Sequence, residues 1–208
     1  MKLHAAEGTT HKARSIVVEL VTITAGVLIA LSVDSAAEWY HHRALVREAR
    51  ANLTSEIRDN RAELDKFLTE IPRIGEQLNR LLRFIGELQA SRQRGHGELA
   101  LGFNITQLSR ASLDTADLTG AQGFMPYPEV KRYAELYGLQ QQFNTTQQQL
   151  LDNWIPLLNY THTDPARATD QELLEWKSRT LTVMSYLQVQ SGIGQALRTR
   201  YDQALAGR

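Results

Sequence analysis

The sequence predicts an all-α protein, with one N-terminal transmembrane helix followed by an extramembrane bundle of about four long helices. Three observations carry the prediction. Residues 15 to 33, "SIVVELVTITAGVLIALSV", form an apolar run broken by a single carboxylate, Glu19. Beyond it, apolar residues return at alternating steps of three and four over several long stretches, the period of a buried helix face. Only five prolines occur in 208 residues, and Leu, Gln, Arg, Ala and Glu are prominent, a composition that favours helix over sheet.

From Ile16 to Val33 the chain would rise about 27 Å as a helix, close to the roughly 30 Å of a hydrocarbon core. Continuing to Trp39 and Tyr40 completes the span. These aromatics, with His41, His42 and Arg43 behind them, suit a headgroup interface, and Lys12 and Arg14 flank the other end. The expected organisation is therefore a short N-terminus over 1–14, a transmembrane helix with its interface over 15–40, and a helical domain over 41–208. A cleaved signal peptide is the rival reading, since Ser35, Ala36 and Ala37 offer small residues after the apolar run. Asp34 and Glu19 both argue against it. Charge leaves orientation open, because Lys2, Lys12 and Arg14 precede the span and Arg43, Arg47 and Arg50 follow it.

At 100° per residue Glu19, Thr22, Gly26 and Ala30 share one face of this helix. Small residues four apart allow two membrane helices to approach closely, and an intramembrane acid ordinarily faces protein. These four residues are the candidate membrane helix-packing face. The alternative is that Glu19, near the helix end, reaches back to the headgroups beside Arg14.

Residues 44 to 71 place Val46, Ala49, Leu53, Ile57, Leu64, Phe67 and Ile71 on one line, with Asn60 the polar exception. A polar residue there is able to set register between helices. Pro72 predicts a kink or break. After it, Ile74, Leu78, Leu81, Ile85 and Leu88 form a heptad seam. "SRQRGHG" over 91–97 reads as a surface loop. "TGAQGFMPYP" then supplies glycines and prolines around apolar residues, a turn expected to fold back on the bundle. Phe124, Met125 and Tyr127 in it, with Tyr133 just beyond, make the candidate recognition loop.

A third long helix carries Leu136, Phe143, Leu150 and Leu157 at intervals of seven, beside Tyr133, Gln140, Gln147 and Trp154. In the last helix, which carries Leu173, Leu174, Leu181, Met184, Leu187, Leu197, Tyr201 and Leu205, Thr169 or Asp170 is placed to cap an acidic first turn containing Glu172.

Composition limits function. Lys plus Arg and Asp plus Glu number 23 each, so no net field favours nucleic acid, and none is expected as a partner. With no cysteine, thiol catalysis, thiolate metal sites and disulfides are all ruled out. The six histidines stand in no recognised ligand spacing, and no nucleophile elbow or phosphate loop is present. No cofactor, metal or catalytic residue is assigned.

"GVLIALSVDSAAEWYHHR" followed by "REARANLTSEIRDNRAEL" resembles the start of an uncharacterised family of bacterial single-pass membrane proteins. The shared pattern is an apolar segment ending at Gly26 to Leu31, a Trp at 39, and a helix with Glu48, Leu53, Glu56, Ile57, Asn60 and Leu64. "SLDTADLTGAQGFMPYPEVKRYAELYGLQ" resembles the family's second landmark. Where the family usually reads Trp-Asn-Glu, this chain reads Glu38-Trp39-Tyr40. The resemblance implies a retained anchor in a bacterial inner membrane, the N-terminus in the cytoplasm and a helical domain in the periplasm. It implies no activity. The expected partners are the lipid bilayer and either further copies of the chain or another envelope protein. A small-ligand sensor is the second expectation, with a pocket lined by Phe124, Tyr127, Tyr133 and Trp154; an enzyme of unrecognised class is the third.

Overall fold

The computed structural model describes residues 7–91, 101, 102, 104–161 and 167–207, and the side chains among them from Ile16 onward except those of 159–161. Its elements are α1 (Glu7–Ser91), α2 (Ala111–Leu118), a 3₁₀ turn (Ala121–Phe124), α3 (Tyr127–Thr161) and α4 (Asp170–Leu205), and no strand occurs among the described residues. The chain divides into two compact units, one ending at Glu48 and one running from Ala49 to the C-terminus. The loop expected over "SRQRGHG" lies outside the described residues beyond Ser91, and part of "THTDPARATD" does so as well.

In the first unit every residue from Ile16 to Val33 is exposed. Among the described residues one helix is long and apolar enough to cross a membrane, and its apolar window, near the N-terminus, has none of its residues buried. Its hydroxyls turn inward on the helix itself. Thr22 donates to Val18 O at 2.8 Å, Thr24 to Leu20 O at 2.8 Å and Ser32 to Leu28 O at 2.7 Å. A hydroxyl that bonds the carbonyl four residues back presents only carbon outward, which is what a medium without hydrogen-bonding partners requires. At the end of this stretch Trp39 meets Tyr40 edge-on at 5.2 Å between ring centroids, and the Arg43 guanidinium lies 4.9 Å over the Trp39 ring.

The second unit is built on three long helical segments. Buried positions on α1 run through Leu53, Ile57, Asn60, Leu64, Phe67, Ile74, Leu78, Leu81, Ile85 and Leu88, so the heptad positions expected after Pro72 are all interior. On α3 they are Leu136, Gln140, Phe143, Gln147, Leu150, Trp154 and Leu157, and on α4 Leu173, Trp176, Thr180, Val183, Leu187, Gln190, Gly194, Leu197 and Tyr201. Each series alternates steps of three and four, apart from one step of seven on α1 between Phe67 and Ile74 where Ile71 is half-buried, which keeps one stripe of a helix facing its neighbours. Contacts between α1 and α3 advance together along both chains: Glu56 meets Tyr137, Asn60 meets Gln140, and Phe67 meets Phe143 edge-on at 5.5 Å. These two segments are parallel. Asp202 meets Arg61 and Arg198 meets Asp65, so α4 runs the other way. Gly194 lies where the three meet: a Cβ there would stand 3.0 Å from Leu68 Cδ2 and 3.3 Å from Phe143 Cε2.

One expectation is corrected. Pro72 does not break the chain, because α1 continues through it to Ser91. The ring costs the helix one backbone bond, but Pro72 is on the exposed side, while Phe67 and Ile74 are buried on either side of it. The helices expected before and after it are one. From Asn104 to Arg110 the chain before α2 is neither helix nor strand; Thr106 to Ser109, bonded to Gln147 and Gln140 seven residues apart on α3, is drawn out over about 10 Å, an extended segment followed by the short α2. On α4, Leu174 and Leu181 are exposed at 59% and 47%, since the stripe set by Leu173, Trp176 and Thr180 leaves them about 100° off the core. The cap of α4 follows expectation: Thr169 accepts from Glu172 N at 3.2 Å, and the Glu172 carboxylate accepts from Thr169 N at 2.7 Å.

Candidate functional site

A belt of buried polar side chains gathers around the extended segment. Asn60, on the apolar line of α1, donates to Ser109 O at 2.7 Å and accepts from Ser109 N at 2.8 Å. Gln140 on α3 donates to the same carbonyl at 2.7 Å, and its oxygen accepts from Tyr201 Oη at 2.7 Å. One heptad further along α3, Gln147 donates to Thr106 O at 2.7 Å and accepts from Thr106 N at 3.3 Å. With its amide oriented to pair at both ends, Gln77 donates to Gly102 O at 3.0 Å and accepts from Arg73 Nη1 at 2.8 Å. A carboxamide offers one donor side and one acceptor, the complement of a peptide unit. These side chains therefore hydrogen-bond an extended backbone much as a neighbouring strand would.

The spacing explains why the residues recur at sevens. Seven helical residues rise about 10.5 Å, and three extended residues cover about 10 Å. Gln140 and Gln147 thus match Ser109 and Thr106 without strain. Thr106 and Leu108 are buried while Ile105 and Gln107 face outward, the alternation of a strand.

Glu56 closes the belt. Its Oε2 accepts from Ser109 Oγ at 2.7 Å and from Ser112 N at 2.9 Å, and its Oε1 accepts from Tyr137 Oη at 2.6 Å. Arg110, which precedes α2, provides no side-chain cap. Ser109 Oγ instead accepts from Ala111 N at 3.2 Å, and Glu56 accepts from the next amide, placing negative charge at the positive end of the helix. Burial, with the hydrogen bond to Glu56 second, pushes the Tyr137 phenol well above its ordinary range; burial does the same to Tyr201. Both remain neutral donors. With three donors on its two oxygens, Glu56 holds elements together rather than standing free for proton transfer.

Two depressions open nearby. One of about 410 Å³ lies beside the belt and is lined by Asn52, Glu56, Asp59, Asn60, Ser112 and Thr115 among others. The other, about 500 Å³ and more apolar, lies between α1 and α4 at Ile71, Pro72, Leu181, Met184 and Leu187. Among the described residues no group of three or more His, Asp or Glu side chains is arranged to hold a metal ion.

The residues singled out in the sequence fall in three places. Glu19, Thr22, Gly26 and Ala30 are all exposed on the apolar stretch of α1, and a Cβ added at Gly26 would meet nothing within 4 Å. The side chain of Arg14, the alternative partner of Glu19, lies outside the described residues. In the α2 to α3 turn Met125 is buried at 7%, whereas Phe124 is 50% and Tyr127 79% exposed, so this turn folds back only in part. Tyr133 is half-buried beside the Arg50 to Glu129 pair. The pocket expected from Phe124, Tyr127, Tyr133 and Trp154 does not form. Tyr127 and Trp154 belong to one continuous helix, and 27 residues of helix separate them by about 40 Å.

Glu56, Tyr137, Tyr201, Ser109 and Gly194 were missing from the candidate residues. Glu56 and Asn60, four apart in a seam of apolar residues, were the signal available for part of this set. Comparison with protein-family models, with curated proteins and with solved structures finds no match.

Proposed function

We propose that this chain is a single-pass, membrane-anchored helical protein of the bacterial envelope, with its N-terminus in the cytoplasm and its bundle in the periplasm, acting by association with copies of itself or with an envelope partner. The observation that carries the reading is the apolar stretch Ile16–Val33, exposed at every residue and with Thr22, Thr24 and Ser32 bonded back onto its own backbone. Eighteen exposed residues in succession, of which only Glu19 is charged and Thr22, Thr24 and Ser32 are polar, have no account in water. Orientation rests on the resemblance of the first helix and turn to anchored proteins of that arrangement. The bundle supports a scaffolding role because its polar interior is spent on holding its own segments, with Glu56, Asn60, Gln140 and Gln147 all engaged.

Single cysteines at Thr9 and at Ser91 in the otherwise cysteine-free chain test this reading. In intact cells Ser91→Cys is expected to react with a membrane-impermeant thiol reagent and Thr9→Cys only after permeabilisation. The opposite pattern overturns the orientation. Alkaline extraction that releases the chain from membranes overturns the anchor. For association, Gly26→Cys is expected to crosslink between copies more efficiently than Leu28→Cys; equal yields, with a monodisperse monomer and no copurifying chain in mild detergent, leave the association reading without support.

A further inference from the structure

We infer that the turn between α2 and α3 is a lipid-facing tip, whose Leu118, Phe124 and Tyr127 enter the headgroup region of the membrane that holds the apolar helix. The inference rests on the anchored reading above. Among the large hydrophobic side chains exposed in this structure, Leu118 at 87% and Tyr127 at 79% are the two most exposed, ahead of every residue of the apolar stretch, and Phe124 stands at 50%. All three fall within ten residues of chain, at the last residue of α2, the last of the 3₁₀ turn and the first of α3. Single exposed apolar residues are ordinary; three in one turn mark a surface that meets something apolar.

The turn is built to present them. Ala121 and Met125 are buried beneath it at 0% and 7%, and Gly120 takes the left-handed conformation at φ 72° that reverses the chain after α2. Its backbone amides find partners within the turn: Thr119 N on Thr115 O at 2.9 Å, Gly120 N on Asp117 O at 2.9 Å, Gly123 N on Gly120 O at 3.1 Å and Met125 N on Gln122 O at 3.2 Å. These four amides enter an interface without a loss of hydrogen bonds to water.

Chain connectivity names the occupant. Glu129, two residues after Tyr127, is held by Arg50 through two hydrogen bonds, 2.8 Å from Nε and 2.6 Å from Nη2. The tip therefore lies at the end of the bundle where α1 enters it. Arg50 follows Tyr40 by only ten residues of chain, a tether of at most about 35 Å, so on the anchored reading a bilayer interface is always within reach of this end of the bundle. Tyr and Phe are side chains that such an interface favours. Arg132 is exposed in the neighbouring turn of α3, where lipid phosphates would meet it.

The absence of cysteine makes the test direct. Leu118→Cys, Tyr127→Cys, Thr182→Cys and Leu28→Cys are each labelled with an environment-sensitive fluorophore in the full chain, reconstituted into phosphatidylcholine and phosphatidylglycerol vesicles containing headgroup, shallow-acyl or deep-acyl nitroxide lipids. Quenching at 118 and 127 several-fold above that at 182, with a blue-shifted emission, is the expected result. Deep quenching at Leu28 with 118 and 127 no different from 182 overturns the tip and leaves the anchor standing. A blue shift at 118 and 127 without nitroxide quenching means that protein covers the turn, and also overturns it. An unquenched label at Leu28 removes the anchor and the tip together.

Discussion

Helix α1 treats its polar groups in two ways. From Ile16 to Val33 the hydroxyls of Thr22, Thr24 and Ser32 bond carbonyls four residues back, and no side chain is buried. From Leu53 to Leu88 every third or fourth side chain is interior except at half-buried Ile71, and Glu56 and Asn60 reach partners 49 to 81 residues away in sequence. Backbone conformation is the same in both stretches; the surroundings each expects are different. In the apolar stretch polarity is folded inward onto the helix, as it also is at exposed Thr69 and Ser91 further along. Where other segments must be held, polarity is directed outward to them.

The comparison makes unequal predictions. The largest effect is expected at the belt: Glu56→Ala would strand the Tyr137 hydroxyl, Ser109 and the first turn of α2, at a cost of about 3 to 5 kcal/mol. Urea unfolding of the full chain in mild detergent measures it, and Thr22→Val under the same conditions is expected to leave the bundle transition unmoved. A comparable loss from Thr22→Val would erase the distinction between the two stretches.

The two glycines sharpen it next. Gly194→Val places atoms against Leu68 and Phe143 and is expected to cost about 1 to 3 kcal/mol by overpacking. Gly26→Val meets open space in the isolated chain, so it should leave bundle stability alone and lower only crosslinking between copies. Thr169→Ala, which removes the capping box of α4, is expected to cost about 1 kcal/mol in the same unfolding assay.

The smallest effect concerns protons. Arg50 holds the Glu129 carboxyl below its ordinary range, its hydrogen bond outweighing the opposing effect of burial. A lowered folded-state value means that the unfolded chain binds the proton more readily, so this stabilisation is complete above the usual carboxylate range and is lost as pH falls through the lowered value. Unfolding midpoints followed from neutral pH into acid should show a shallower decline for Glu129→Gln than for the natural chain. Parallel profiles would mean that the pair contributes nothing measurable.

Much of this architecture was legible because burial follows local period. The seam Ile74, Leu78, Leu81, Ile85 and Leu88, the sevens of Leu136, Phe143, Leu150 and Leu157, and the Thr169 cap all depend on neighbours within a turn or two of helix. Pro72 was misread because its effect depends on which side of the helix it occupies, and that side is fixed by distant packing. The extended stretch before α2 escaped for a related reason. Its conformation is set by Asn60, Gln140 and Gln147, side chains from two other helices, and no local pattern announces them. Phe124 and Tyr127 looked like core residues by type; only the turn's geometry turns them outward.

The match between Gln140 and Gln147 on a helix and Ser109 and Thr106 on an extended chain bears on how this protein tolerates change in length. One residue inserted between 106 and 109 would displace the backbone by about 3.4 Å against amides whose own spacing cannot follow. Added or lost residues at this point should therefore be selected against even where every substitution of Gln107, which faces solvent, is accepted. The segment is free in its composition and fixed in its count.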